Sequence, residues 1–183
     1  LTKIIISPLN KRFKFIDDKY LLGKSDENND VFDILFFARR DINEISIPLN
    51  IKIISSYAFY NCLSLEKVEI SPNSFLQVIE SNAFSFSNIE EIFIPASVLK
   101  ICANAFNECK YLTKVEIPPN SNLQVIESHA FSLSNIEEIF IPPSVSKICA
   151  NAFNECRYLT KVEIPPNSNL QTIESHAFGY SKI

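Results

Sequence analysis

The sequence predicts a β-rich solenoid: a coil of stacked units, with a parallel sheet along one side and short turns or short strands along the other. Three observations carry this. The dipeptide Ala-Phe recurs with Phe at 59, 84, 106, 131, 153 and 178, at alternating spacings of 25 and 22 residues. Residues 87–133 and 134–180 match at 41 of 47 positions, so a long and a short unit form one duplicated block. Each unit also carries an alternating apolar trio such as Val68-Glu69-Ile70, the period of a strand with one face buried.

The long unit reads Phe59-Cys62-Leu65-Val68-Ile70 and returns as Phe106-Cys109-Leu112-Val115-Ile117 and Phe153-Cys156-Leu159-Val162-Ile164. The short unit is one residue shorter before the strand and replaces Cys by Ser, as in Phe84-Ser87-Ile89-Ile92-Ile94. Pro or Ser-Pro follows the last Ile and stops the strand, because proline cannot donate to a ladder. A polar turn such as PPNSN comes next, then an apolar stretch ending in Ile. No unit is large enough to bury its own apolar residues; stacked units make one continuous core. Successive strands one coil apart should be parallel and ~4.8 Å from each other. In the far turn, Phe fills the core and Ala leaves room for close-packed backbone.

The pattern L-x-x-V-x-I-P…I-x-x-x-AF-x-x-C resembles the BspA-like (Treponema pallidum type) leucine-rich repeat over about residues 42–183, and residues 1–8 look like one more strand. The resemblance implies a curved right-handed leucine-rich repeat solenoid with a concave parallel sheet. It also implies a surface protein of bacteria or parasitic protists, linked to adhesion, with no catalytic residues to transfer. Residues 9–41 lack the Ala-Phe anchor. They are expected to form a short strand at 13–16 and an inserted hairpin with arms at 20–24 and 32–37, its tip at SDENND. Apolar residues at 31, 34, 35 and 38 also fit helical spacing, but the Phe and Ile content favours strand. The whole chain, 1–183, is thus expected to be one solenoid with a β-hairpin insertion at about 9–41.

Composition excludes several functions. A net charge of −4 is wrong for a general nucleic-acid binder, which needs a basic surface. The longest apolar runs, such as ILFFA, are far short of the ~20 residues of a membrane span, so membrane attachment would lie outside this chain. With 2 Gly, phosphate-cradling loops have no material: Gly23-Lys24-Ser25 ends like one, but Asp18 stands where the first glycine is needed. Asp26-Glu27-Asn28-Asn29-Asp30 opens like a calcium loop, yet Val31 and Phe37 occupy the glycine and glutamate positions. The five cysteines fill two repeat slots, Cys62/Cys109/Cys156 and Cys102/Cys149. Equivalent residues two coils apart lie ~10 Å from each other, beyond disulfide reach, and no Cys/His spacing suits zinc. They read as reduced structural thiols, which lean towards a reducing compartment. His129 and His176 share a turn slot held elsewhere by Tyr57, Asn82, Asn104 and Asn151. No catalytic constellation, metal or cofactor is expected.

Function is therefore sought on the outward strand face. One column reads Lys3, Glu44, Lys67, Glu91, Lys114, Glu138, Lys161, an alternating ladder of opposite charges between neighbouring strands. The second reads Ile5, Ser46, Glu69, Phe93, Glu116, Phe140, Glu163. Phe93 and Phe140, ~10 Å apart by strand spacing, are candidate binding anchors for a protein ligand or host surface component. Glu69, Glu116 and Glu163 favour a partner with cationic and apolar character. Asn-x-Ser/Thr acceptors are absent despite 18 Asn, leaving this face bare of N-linked sugar. The leading expectation is a protein-interaction module of a cell-surface or secreted adhesion-type protein; the alternative is a cytoplasmic scaffold without a concave ligand. An enzyme survives only if the Asp-rich hairpin binds a metal. The missing Met and the stop in mid-repeat at Ile183 suggest a piece of a longer chain, whose bare ends would favour end-to-end association.

Overall fold

Each Ala-Phe dipeptide does two jobs at once, and the computed structural model, which describes residues 4–7 and 9–183, shows both. The rings of Phe59, Phe84, Phe106, Phe131, Phe153 and Phe178 stack in one column at centroid separations of 4.7, 5.1, 5.1, 5.2 and 5.3 Å, with planes within 7° of parallel. Those separations sit close to the ~4.8 Å strand spacing. The backbone repeats alongside: Phe59 N–H donates to the Ala83 carbonyl at 2.7 Å, Phe84 to Ala105 at 2.8 Å, and likewise to Phe153 onto Ala177 at 2.7 Å. Each alanine is buried, since any larger side chain there would hold neighbouring coils apart.

Two sheets flank the column. The concave one has six short parallel strands: β4 (Glu44–Ile47), β6 (Lys67–Ile70), β8 (Glu91–Phe93), β10 (Lys114–Glu116), β12 (Glu138–Phe140) and β14 (Lys161–Glu163). Val68, Ile92, Val115 and Ile139 point into the core from it. The opposite sheet is built from two-residue strands, β5 (Ile53–Ile54), β7 (Val78–Ile79), β9 (Lys100–Ile101), β11 (Val125–Ile126), β13 (Lys147–Ile148) and β15 (Thr172–Ile173). Between the sheets, Pro95 and Pro118 open tight turns, their carbonyls accepting from the N–H of Val98 and Ser121 at 3.0 Å. No helix occurs among the described residues, so none is long and apolar enough to cross a membrane.

Residues 13–38 contain three antiparallel strands: β1 (Phe13–Ile16), β2 (Tyr20–Gly23) and β3 (Ile34–Ala38). The stretch 34–38 is therefore strand, not helix. β3 then pairs in parallel with β5, so the segment prolongs the convex sheet instead of standing apart from the coils. Asp17 and Asp18, both left-handed with φ of 49° and 52°, turn the chain between β1 and β2, a conformation Asp tolerates. Gly23 leaves room for the Phe36 ring, which would lie 2.3 Å from a Cβ there and so would have to shift; that ring packs edge-on against Phe13. The strand read over residues 1–8 is corrected in part. Ile4–Ser7 carry no strand and Ile5 is 79% exposed, while Lys3 and the rest lie outside the described residues.

Asp33 ties this segment to the first coil. Its carboxylate, 1% exposed, accepts from Ser25 N–H at 2.8 Å, Ser25 Oγ at 2.6 Å and Lys52 Nζ at 3.1 Å. Burial pushes the carboxyl up, but the Ser25 hydrogen bonds and the Lys52 ammonium outweigh it and hold it below its usual value.

Two expectations test this packing. Phe106→Ala should lower stability by about 3–5 kcal/mol in urea unfolding; a loss under about 1 kcal/mol would show that the ring column is not a main support. A carboxyl held below its unfolded value stabilises above about pH 4 and loses that contribution as pH falls through its folded value. The stability gap between the native chain and Asp33→Asn, wide at pH 7, should therefore narrow at pH 3; a gap unchanged with pH would refute the ion-paired assignment.

Candidate functional site

Register places the outward residues of the concave sheet in two rows. Glu44 pairs with Lys67, Lys67 with Glu91, Glu91 with Lys114, Lys114 with Glu138 and Glu138 with Lys161. In the second row Ser46 pairs with Glu69, Phe93 with Glu116 and Phe140 with Glu163. Two depressions lie on this face. One, of ≈ 290 Å³, holds Lys67, Glu69, Glu91, Phe93, Lys114 and Glu116. The other, of ≈ 480 Å³, holds Lys114, Glu116, Glu138, Phe140, Lys161 and Glu163. Ten of the fourteen residues of the two columns, Phe93 and Phe140 among them, thus stand in two adjacent hollows sharing Lys114 and Glu116. Both phenylalanines are half-buried, with Ile92 and Ile139 beneath them in the core.

The charges pair differently from the expected cross-strand ladder. Lys67 reaches Glu69 at 2.7 Å, Lys114 reaches Glu116 at 3.3 Å and Lys161 reaches Glu163 at 3.0 Å, all within a strand. Among the described residues of these rows, Lys161–Glu138 at 3.7 Å is the only ion pair between strands. Residues i and i+2 share one face, and the flexible lysine finds the carboxylate beside it. Lys67 is raised above its ordinary pKa chiefly by its hydrogen bond to Glu69, with Glu44 and Glu91 adding at longer range. Glu69 is lowered by Lys67 and by the Ser46 hydroxyl, which donates to it at 2.7 Å. These groups are solvated, so the pairs add little to stability. The described rows carry six glutamates against three lysines, leaving the face acidic.

Two features of the coils were not anticipated. Each turn uses two left-handed residues that are not glycine. One precedes Ala-Phe (Tyr57, Asn82, Asn104, His129, Asn151, His176; φ 55–62°); the other lies two past Phe (Asn61, Phe86, Glu108, Leu133, Glu155, Tyr180; φ 56–60°). The conformation swings their N–H groups along the coil axis: His129 donates to the Ala150 carbonyl at 3.2 Å and Glu108 to Ser132 at 2.8 Å. The histidines are therefore turn residues serving the ladder. The recurrence of Asn in the first slot was the available signal. Second, Glu127 accepts from Ala103 N–H at 2.8 Å and pairs with Lys100 at 2.7 Å; Glu174 does the same with Ala150 and Lys147 at 2.9 and 2.6 Å. Each glutamate clips the preceding coil.

The cysteine column runs Cys62, Ser87, Cys109, Ser134, Cys156. Cys109 and Cys156 each donate to a phenylalanine carbonyl (Phe84 and Phe131) at 3.1 Å, and lie 3.5 and 3.3 Å from the hydroxyls of Ser87 and Ser134. Burial pushes the Cys109 thiol up to about 12 and Cys102 to about 11. All five cysteines are free. Among the described residues no group of three or more His, Cys, Asp or Glu is placed to hold a metal ion.

A coil of parallel strands, a stacked phenylalanine column and an outward face with two hollows define a leucine-rich repeat solenoid. The chain belongs to the BspA-type leucine-rich repeat family, whose profile matches it in six copies over residues 31–160 and 77–183. Repeats of this kind generally serve as non-enzymatic binding modules of proteins. Comparison with curated proteins gives no match. Among solved structures, the pneumococcal vaccine antigen PcpA is 32% identical with a TM-score of 0.65, over 68% of this chain and 31% of that one. A leucine-rich repeat protein from Bacteroides ovatus is 19% identical with a TM-score of 0.61, over 97% of this chain and 57% of its own. The Treponema pallidum leucine-rich repeat protein is 19% identical with a TM-score of 0.61, over 86% and 82%. The last two share the fold. The chain thus spans less than two thirds of the first two structures.

The thiols make the packing testable. Cys149 is the least buried of the five. In the native chain it should react first with an aromatic disulfide reagent at pH 8, while Cys109 and Cys156 should react only on unfolding. Five equal rates would contradict the burial order.

Proposed function

We propose that the concave face is the protein-binding surface of a cell-surface, adhesion-type protein. The observation that carries this is the convergence of Phe93 and Phe140 with nine charged residues in two neighbouring hollows. Half-buried aromatics with fixed backbones are what interface anchors require, because little rotamer freedom is lost when a partner covers them. Likeness to a vaccine antigen supports a surface location.

One observation favours a second reading, an intracellular scaffold: five unpaired cysteines fit a reducing compartment. Labelling of the full-length polypeptide on intact and permeabilised cells separates the two, since a scaffold is labelled only after permeabilisation.

For the site itself, ligands panned from a protein-display library against the 183-residue chain should bind the Phe93→Ala/Phe140→Ala variant at least tenfold more weakly. Ligands indifferent to that change would place the binding surface elsewhere. Circular dichroism melting controls for loss of fold.

A further inference from the structure

We infer that the concave face recognises two cationic side chains three residues apart in an extended, polyproline-II-like segment of its partner. This rests on the reading of the face as protein-binding and narrows the partner's chemistry. Phe93 has Glu69 and Glu116 on the strands to either side and Glu91 two residues before it. An apolar side chain arriving there would strip water from carboxylates without replacing it. A guanidinium or ammonium can lie on the ring face and bond the carboxylates together, because the π-face is electron-rich and the rim is acidic. The lysines already on those carboxylates are exposed by more than half, and ion pairs so open to solvent are weak. They give way at little cost.

The same arrangement occurs again at Phe140, with Glu116, Glu163 and Glu138 in the equivalent places. The two rings are two strands apart, ~9.6 Å along the solenoid. A polyproline-II segment returns to the same side every three residues, over ~9.3 Å. A β-strand returns every two residues, at ~6.7 Å or ~13 Å, and misses the second ring. An α-helix comes back after seven residues at ~10.5 Å, but its carbonyls are spent internally. Polyproline-II carbonyls are free, and Lys114 stands between the two hollows, placed to donate to one of them.

Three labelled peptides test this on the 183-residue chain by fluorescence anisotropy: a nonapeptide of Arg-Pro-Pro repeats, the same composition with the three arginines adjacent, and a helix-forming peptide with arginines seven apart. The periodic peptide should bind at least tenfold tighter than the other two, weaken with salt, and lose at least tenfold on Phe93→Ala or Phe140→Ala. Glu116→Gln, an exposed change shared by both hollows that leaves the core untouched, should cost several-fold. Equal binding of periodic and adjacent peptides, both lost in the double phenylalanine variant, overturns the spacing and leaves the concave site standing. Tighter binding of the helical peptide overturns the extended conformation. No binding of any of the three overturns cation recognition, and the library ligands then decide the site independently. Peptide binding unchanged in the double variant and in Glu116→Gln overturns the use of this face by cations.

Discussion

The structure depends on the contact between one coil and the next, a stacked ring beside an amide hydrogen bond. A single coil of 22 or 25 residues has no interior. Its phenylalanine becomes buried only when neighbouring chain lies above and below it, and its far-side N–H groups find partners on the next coil. Stacking adds roughly 0.5–1.5 kcal/mol per aromatic pair beyond area burial, and it recurs with every coil. The two flanking sheets, the cysteine–serine column and the glutamate clips all inherit their spacing from this contact.

Much of this was legible in the chain. Ala-Phe in register announced the ring column, and the alternating trios announced the two outward rows and seven concave strands, of which the described residues form six. What could not be read was anything decided by short-range choice among near-equal partners. Lys67 could have met Glu44, Glu91 or Glu69; sequence fixes the rows but not which carboxylate an exposed ammonium takes, since the differences are fractions of a kcal/mol. The left-handed turns were hidden for another reason. Such positions usually advertise themselves by glycine, whereas Phe86, Leu133 and Glu155 hide the conformation behind side chains that disfavour it. The segment at 13–38 was readable as strands, but its pairing with β5 is accompanied by a contact no local pattern shows, Asp33 meeting Lys52 of the first coil.

The alternation of long and short units has a functional side. Because Lys and Glu exchange places in the first row and Glu and Phe in the second, the chemistry on the concave face repeats every second coil, not every coil. Duplication of the 47-residue block therefore copies an entire hollow, with its ring and its acidic rim, at one fixed distance. A change such as Ala96 against Pro143 falls in a turn outside the two rows, so the copies can diverge in turns without disturbing the face.

The non-glycine left-handed residues bear on mechanics. Each costs roughly 1–2 kcal/mol as an isolated conformation, and at nine of the twelve turn positions an N–H bond to a carbonyl of the adjoining coil compensates it. A coil pulled away from its neighbour thus loses its ladder bonds and exposes its torsional strain in the same event. Under tension along the axis, coils would peel one at a time, each yielding 22 or 25 residues, up to roughly 75–90 Å of slack. A solenoid built this way would lengthen in steps, absorbing a pull at one end before the hollows farther along are disturbed.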